Sequence, residues 1–262
     1  MDCTSNRTAA RDLELVIARN KSALDWSVPY AHRRTIYNKG ADEMAGSCRL
    51  PNVGGMEHTF LTHIIEHYAD LAEYTVFLSC NLGRLSHVMV EDFVRKDVSF
   101  VADCLTTFCL HQGKALDGQG FLVHPEIQLT GRITPMRRAE LPFSQWFDQV
   151  VGQGPHTGLR MNGLGPALLY SHRGHFGVRR SSIIEKPRSY YTGLRTWLEG
   201  HSNREEQQYI QYSWAYIFSS PNGKSYRVGS AFRDVGDVEL ADFTQAAQGE
   251  FPSDSEDWKQ AS

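Results

Sequence analysis

Apolar and polar positions alternate in blocks along the first third of the chain, and these blocks predict a parallel sheet. Residues 13–18 (LELVIA) form a nearly continuous apolar run, which is typical of a central strand buried on both faces. Shorter runs at 34–37 (RTIY) and 74–78 (YTVFL) predict two more strands. Each run stops at polar residues, so we expect three strands that end in polar loops.

A helix is predicted between the second and third strands. Apolar residues recur with helical spacing over 57–72, and the glycine-containing loop 51–55 precedes them. A strand, a crossover helix and a second strand form a right-handed parallel unit, which brings the polar loops to one edge of the sheet. Because ligands of open α/β sheets bind along that edge, functional residues are expected just after the strands.

The rest of the chain predicts further helices and strands. In chain order they are a helix over 88–109, a strand and loop over 113–134, a short helix over 143–151, a flexible stretch at 163–166, a strand at 175–178, and helices over 187–199 and 205–218. The succession of these elements predicts an α/β fold with a Rossmann-like, mostly parallel sheet and flanking helices.

We predict one domain between two disordered ends. Residues 1–11 are polar and residues 245–262 are acidic, which are compositions typical of disordered segments. Residues 12–244 are predicted to form a single α/β domain, in which 12–82 are a βαβαβ unit of nucleotide-binding type and 83–244 form the other half. A chain of 262 residues with 41% hydrophobic content can bury a sizeable core, and one large domain is the simpler interpretation.

The net charge and the cysteines indicate which binding partners and which cellular compartment to expect. The formal net charge of -3 gives no electrostatic reason to expect a nucleic acid or an anionic membrane as a partner. No window approaches the roughly 18 apolar residues of a membrane span. The five cysteines are odd in number and lack C-x-x-C spacing, so neither a disulfide framework nor a zinc ribbon is indicated. We therefore expect a cytoplasmic protein in a reducing compartment, without a membrane span.

One metal-binding pattern occurs on the predicted helix. His63, Glu66 and His67 match H-x-x-E-H, in which two histidines one turn apart hold zinc and the glutamate activates water. No third ligand is indicated, and Ile64 and Ile65 belong to the buried stripe of the helix. Histidines that are solvated or hydrogen-bonded within the structure are the favoured interpretation, with a zinc hydrolase as the less favoured alternative.

The candidate functional residues at the strand ends are basic. Arg19 and Lys39 each follow a strand, where they could contact the phosphates of a nucleotide. Neither G-x-G-x-x-G nor the P-loop motif occurs, which disfavours dinucleotide dehydrogenases and P-loop enzymes. No Asp-x-Asp follows the third strand, so the cofactor is left open, with manganese or magnesium as the candidates. Ser79 and Cys80 lack a G-x-S-x-G elbow, and the sequence pairs no histidine with them.

Four segments together carry a family resemblance. They are LELVIARNKSALDW (13–26), IYNKG (36–40), LPNVGGMEHTFLTHI (50–64), and HFGVRRSSIIEKPRSYYTGLRTWL with YIQYSWAYIF (175–198 and 209–218). Their order and spacing over about 200 residues resemble the domain of unknown function 3431 family. The layout of that family is similar to type-A glycosyltransferases, with a Rossmann-like donor half followed by an acceptor-side half.

The resemblance implies a transferase that uses a nucleotide-activated sugar donor and a hydroxyl acceptor of unknown identity. Such an enzyme stabilises the leaving diphosphate and, if it inverts the sugar configuration, needs a carboxylate that takes the acceptor proton. The implied roles are Arg19 and Lys39 facing the diphosphate, Asn38 and Asn52 orienting the donor, Glu57 or Asp25 as the base, and His58 and Trp214 among the retained matches at the substrate.

Departures from the family pattern leave a second hypothesis open. The acidic residue of the first motif is replaced by Ser22 or lies nearby as Asp25, and the Arg-Glu pair of the third motif appears as Gly55 and Met56, with Glu57 one place later. Gln211 stands where the family has a glutamate, and a glutamine cannot serve as a carboxylate base. The alternative is therefore a non-catalytic descendant that keeps the fold and binds a nucleotide, a glycan or a protein.

Overall fold

A computed structural model of the protein describes residues 12–80, 100–103, 105–109, 139–151, 167–171, 174–200, 204–218 and 226–229. The disordered ends predicted at 1–11 and 245–262, the strand and loop predicted at 113–134 and the flexible stretch predicted at 163–166 lie outside these residues.

Nine strands form two sheets. They are β1 (Leu13–Arg19), β2 (Arg34–Asn38), β3 (Cys48–Arg49), β4 (Tyr74–Ser79), β5 (Phe100–Asp103), β6 (Leu105–Cys109), β7 (Ala167–Ser171), β8 (Phe176–Arg179) and β9 (Tyr226–Gly229) among the described residues. Seven of them pair in the order β3-β2-β1-β4-β8-β5-β9, whereas β6 pairs with β7. Only β8 runs antiparallel to its neighbours in this seven-stranded sheet. The predicted α/β fold with a mostly parallel sheet is confirmed.

Helices flank the larger sheet. They are a 3-10 helix (Asp25–Arg33), α1 (Gly55–Glu66), α2 (Phe143–Trp146) continued by a π-helical turn (Phe147–Val151), α3 (Arg180–Ile184), α4 (Arg188–Gly200) and α5 (Arg204–Ile217). The helices predicted over 143–151, 187–199 and 205–218 are confirmed. The helix predicted over 57–72 is shorter in the structure, where α1 ends at Glu66. Leu71 and Ala72 are buried in the segment between α1 and β4, so their apolar spacing reflects burial there and not a helix.

The prediction of a helix over 88–109 is wrong for its described part, which forms β5 and β6. Val101, Thr106 and Thr107 are β-branched and favour a strand once partners are available. Those partners are β8 and β9 for β5, and β7 for β6, all distant in sequence. Tertiary pairing therefore overrides the apolar spacing. The two-residue β3 and the other short elements β7, β9 and α3 are also absent from the prediction.

The central strand β1 has a separate apolar layer on each face. Ile17 packs with Leu24 and Ile36 in a small cluster that is completed by Trp26 of the 3-10 helix. Val16 lies on the opposite face, in the main core beneath α1 and α5. This double burial explains why the run 13–18 has almost no polar position.

Aromatic rings join α1, α5 and the middle of the large sheet. The Phe60 ring of α1 lies 5.1 Å from that of Phe77 in β4, and the Trp214 ring of α5 lies 5.0 Å from that of Phe176 in β8. Trp214 also stacks on Phe218, with an interplanar angle of 9°. These contacts fix α1 and α5 side by side on one face of the sheet, which positions their side chains at a common edge.

One cysteine departs from the sequence expectation. Cys48 in β3 is disulfide-bonded, and Cys80 after β4 is free. The reducing compartment and the cytoplasmic location stay predictions. Within the described ranges, no helix has the length and apolar character needed to cross a membrane.

Candidate functional site

Four strands bring polar residues to one edge of the large sheet. Arg19, Asn38 and Ser79 end the parallel strands β1, β2 and β4. Since β8 is antiparallel to β4, its beginning lies at the same edge, with His175 directly before it. The helix α1 begins at this edge with Gly55. The gathering of polar residues predicted from the strand ends is therefore present, although the partners of each residue decide its role.

The guanidinium of Arg19 forms its hydrogen bonds within the protein. Its guanidinium donates to Asn38 Oδ1 at 3.0 Å, to Asp42 Oδ2 at 2.6 Å and to the Ser22 carbonyl at 3.0 Å. The hydrogen bond with Asp42 raises the pKa of Arg19 and lowers the pKa of Asp42. Arg19 thus ties the loop after β1 to the loop after β2, and a diphosphate at this position would compete with Asp42.

Asn38 has a similar internal role. Its Oδ1 accepts hydrogen bonds from Arg19 and from the Gly40 backbone N–H, the latter at 3.0 Å. Its Nδ2 donates to the carbonyl oxygen of Asp42 at 2.6 Å. Both ends of the side-chain amide are occupied, so Asn38 shapes the loop after β2.

Lys39 connects the end of β2 to the beginning of α1. The side chain is buried, with the residue 7% exposed, and Nζ donates to the carbonyl oxygens of Val53, at 2.5 Å, and Gly55. Burial lowers the pKa of Lys39 to about 8, while the charge of Glu57 acts in the opposite direction. Lys39 therefore holds the loop from which α1 begins and adds a buried positive charge beside it.

Glu57 is the most perturbed acid at this edge. It lies in the first turn of α1, is 3% exposed, and its Oε1 makes no hydrogen bond within the described part of the chain. Burial raises the pKa of Glu57 to about 7. The hydrogen bond from its own backbone N–H and the charge of Lys39 act in the opposite direction. A buried carboxylate with a free oxygen and a pKa near neutrality is suited to accept a proton from a hydroxyl.

Gly55 leaves room for two side-chain oxygens above the first turn of α1. Its φ is +61°, and a Cβ there would lie 2.5 Å from Glu57 Oε2 and 2.9 Å from Gln207 Oε1. Gln207 belongs to α5 and faces the same space as Glu57. The sequence does not single out Gln207, because it lies 150 positions from Glu57 and in no recognisable motif.

Gln211 lies one helical turn further along α5. A Cβ on Gly174 would meet Met56 Cε at 2.5 Å and Gln211 Cγ at 3.0 Å, so these side chains enclose Gly174. Gln211 and Glu57 therefore lie on neighbouring elements around the same end of α1. Of the three predicted catalytic residues, the structure brings Glu57 and Gln211 to this place, and only Glu57 is a carboxylate.

A serine and a histidine are paired next to this region. Ser79 Oγ at the end of β4 lies 2.9 Å from His175 Nε2, and His175 is buried. This separation meets the distance requirement for a nucleophile and its base. The 96 positions between the two residues explain why the sequence does not pair them.

The other predicted site residues lie in different surroundings. Asp25 is exposed at the start of the 3-10 helix, and Asn52 is exposed in the loop before α1. His58 is buried, and its Nε2 lies 3.0 Å from Glu199 Oε1. Burial lowers the pKa of His58, whereas Glu199 raises it. Trp214 is wholly buried in the aromatic core and presents no surface to a substrate.

The H-x-x-E-H histidines have partners within the protein. His63 Nδ1 lies 3.1 Å from Tyr37 Oη, and His63 Nε2 lies 3.6 Å from Glu14 Oε2. His67 Nδ1 lies 3.4 Å from Asp70 Oδ1. Among the residues that the structure describes, no group of three or more His, Cys, Asp or Glu side chains could hold a metal ion. These contacts favour the structural interpretation of the histidines over a zinc site.

Comparison of the chain with protein-family models and with curated proteins finds no match to either. The resemblance to the domain of unknown function 3431 family therefore stays a prediction based on its four motifs. The function has to be argued from the geometry of the edge at which β1, β2 and β4 end.

Proposed function

We propose that this protein is a glycosyltransferase-like enzyme that transfers a sugar from a nucleotide-activated donor to a hydroxyl acceptor. The reaction would take place where β1, β2 and β4 end and α1 begins. Glu57 is the base that removes the proton from the acceptor. The identity of the donor sugar and of the acceptor is left open.

The topology of the large sheet supports this proposal. When only its seven strands are counted along the chain, their order is 3-2-1-4-6-5-7, with the sixth antiparallel. A mostly parallel sheet of this kind, with helices packed on it, is consistent with the Rossmann-like donor half that the family resemblance implies. A likeness of fold does not by itself establish an activity, so the residues at the edge have to supply the chemistry.

The state of Glu57 is the observation that carries the proposal. A carboxylate usually titrates far below neutral pH, whereas burial raises the pKa of Glu57 to about 7. Near that pH the side chain can take a proton in one step and release it in the next. The unused Oε1 points to a ligand hydroxyl as its missing hydrogen-bond donor. The proton leaves the acceptor oxygen for Glu57 as that oxygen bonds to the sugar, and the diphosphate departs with the former bonding electrons.

Lys39 contributes to this site through position and charge. Its bonds to Val53 and Gly55 fix the first turn of α1, which carries Glu57. Lys39 is thus a positioning residue rather than a direct phosphate ligand. Among the described residues, no group of three or more His, Cys, Asp or Glu side chains could hold a metal ion. No step is therefore assigned to manganese or magnesium.

A non-catalytic binding module is the second candidate. Two observations favour it: Gln211 of α5 stands where the resembled family has a carboxylate, and the guanidinium of Arg19 is engaged by Asp42. A protein of this kind would bind a nucleotide, a glycan or a protein at the same edge without turnover. Ligand binding without sugar transfer or hydrolysis distinguishes it from the enzyme.

Calorimetric titration with nucleoside diphosphates and a panel of nucleotide sugars, with and without manganese, tests the proposal. Each bound donor is then assayed for release of its nucleoside diphosphate. We expect binding in the wild type and in Glu57→Gln, with donor turnover only in the wild type. Glu43→Gln, which changes an exposed glutamate after β2, is the matched control and should turn over normally.

Three results decide between the candidates. Turnover that Glu57→Gln abolishes and Glu43→Gln preserves supports the enzyme. Binding without turnover in every protein supports the binding module. Absence of binding to any nucleotide or nucleotide sugar contradicts the proposed donor site.

A further inference from the structure

Lys186 is a second buried lysine, remote from the edge just described. It lies between α3 and α4, which follow β8. Because β8 is antiparallel to β4, its last residue Arg179 pairs with Tyr74, the first residue of β4. The Arg180 N–H also donates to the Glu73 carbonyl, at 2.9 Å. Lys186 thus belongs to the opposite edge of the sheet from Glu57.

The ammonium group of Lys186 is buried without a hydrogen-bond partner. The residue is 0% exposed, and Nζ has no hydrogen-bond partner among the described residues. Nζ lies 5.8 Å from the ring centroid of Tyr190, in the first turn of α4. Lys39 is equally inaccessible, but it donates to two carbonyl oxygens. The two lysines therefore differ, because the protein supplies hydrogen-bond acceptors to the ammonium group of Lys39 and none among the described residues to that of Lys186.

Two more polar atoms beside Lys186 are unsatisfied. The Tyr190 hydroxyl and Glu185 Oε2 are buried and make no hydrogen bond in the described ranges. The neighbouring tyrosines are satisfied, since Tyr68 donates to the Lys186 carbonyl at 2.5 Å and Tyr191 to the Ile183 carbonyl at 2.7 Å. Buried polar atoms without a partner also occur elsewhere among the described residues, but Glu185, Lys186 and Tyr190 group three of them within one short segment. Such a group points to a missing ligand.

An unpaired buried ammonium is costly to a fold, and an apolar side chain of similar volume is usually tolerated better. Burial lowers the pKa of Lys186 to about 8, so the group still carries its charge at neutral pH. A ligand that accepts hydrogen bonds from this ammonium group would offset the free-energy cost of its burial. Sites that bind ligands commonly keep such unfavourable groups at the expense of stability.

We propose that Lys186, Glu185 and Tyr190, together with the first turn of α4, bind a small oxyanion that carries a hydroxyl group, such as hydrogen phosphate. Lys186 lies two residues before the 13-residue α4, whose N-terminal end carries the positive end of the helix dipole. The Lys186 ammonium and the Tyr190 hydroxyl donate to the anion oxygens. Glu185 accepts a hydrogen bond from the hydroxyl of the anion.

Glu185 makes the proposal selective. Its carboxylate repels an anion without a proton, such as sulfate, and leaves Oε2 unsatisfied in such a complex. Hydrogen phosphate has oxygen atoms that accept hydrogen bonds and one hydroxyl group that donates a hydrogen bond. Inorganic phosphate should therefore bind at least about ten-fold more tightly than sulfate or acetate, a difference of about 1.4 kcal/mol.

Thermal unfolding of the full chain in inorganic phosphate, sulfate or acetate tests this site. In the wild type, Tm should rise with phosphate concentration, as expected for a ligand that binds only the folded state. Lys186→Met should raise Tm without phosphate and remove the phosphate-dependent increase. Lys21→Met changes an exposed lysine and should behave as the wild type does.

A second variant guards against a global effect of Lys186→Met on folding. Tyr190→Phe removes only the buried hydroxyl and should weaken the response of Tm to phosphate. The proposal is overturned if phosphate raises Tm equally in the wild type and both variants, or if sulfate is as effective as phosphate. A lower Tm of Lys186→Met without phosphate also overturns it, because the lysine would then be satisfied by the fold itself.

Discussion

The ammonium group of Lys39 lies 2.5 Å from the carbonyl oxygen of Val53, so the residue that follows β2 holds the loop from which α1 begins. The same ammonium also binds the Gly55 carbonyl. Through these contacts, Lys39 places Glu57 at the edge of the sheet and supplies the buried charge beside it. The position of the candidate base thus depends on Lys39.

Replacement of Lys39 should destabilise the protein. Lys39→Met leaves the Val53 and Gly55 carbonyl oxygens without their donor, which should reduce the free energy of unfolding by about 2 kcal/mol or more. Chemical denaturation measures the change, and Lys21→Met, at an exposed position, should shift it by less than about 0.5 kcal/mol. Equal effects of the two substitutions would contradict the anchoring role of Lys39.

Glu57 should make stability depend on pH below neutrality. Its folded-state pKa of about 7 exceeds its unfolded value, so the stabilisation from its protonated form is present below about pH 4.5 and is lost as pH rises through about 7. The loss should be roughly 3 kcal/mol at most. Glu57→Gln should remove it, so denaturation curves of the two proteins should diverge between these pH values. Parallel pH profiles would show that the pKa is unperturbed.

Gly55 should resist substitution, whereas Gly193 should accept it. Alanine at Gly55 requires a strained positive φ and places its Cβ against Glu57 and Gln207, which should cost about 1–3 kcal/mol. Gly193 lies within α4 with open space around it, and Gly193→Ala should stabilise the helix by up to about 1 kcal/mol. Denaturation measurements that rank the two variants in the reverse order would refute the packing around Gly55.

His63 should be structural. His63→Ala removes a wholly buried ring and its contact with Tyr37, which should destabilise the protein by about 2–4 kcal/mol. Elemental analysis of the purified wild type should find much less than one zinc per chain. One zinc per wild-type chain that is lost in His63→Ala would instead revive the hydrolase hypothesis.

Much of the fold is predictable from local patterns. The strands β1, β2 and β4 follow from short apolar runs, and α1, α4 and α5 follow from helical spacing, because each pattern reflects burial of one or both faces. The segment 100–109 is mistaken for a helix because its strands depend on β7, β8 and β9. Trp214 of α5, which the resemblance implies at the substrate, packs instead in the core against the sheet.

The candidate site is predictable only in part. Arg19 and Lys39 can be selected because they follow strands at the edge where ligands bind, whereas Glu57 is selected only through the family resemblance, with Asp25 as the alternative. Their partners cannot be selected in this way, since Gln207, His175 and Asp42 belong to other segments and to no motif. The unsatisfied state of Lys186 is equally invisible in the sequence, because it is defined by what surrounds the side chain.

The sequence by itself determines the α/β class, the parallel first half and the placement of charged residues at the ends of strands, since these follow from hydrophobic periodicity and chain direction. Tertiary structure alone decides that Arg19 is engaged by Asp42, that Lys39 anchors α1, and that Glu57 keeps an unused oxygen. The physical reason is that burial and hydrogen-bond satisfaction are properties of the assembled surroundings, to which distant segments contribute as much as near ones.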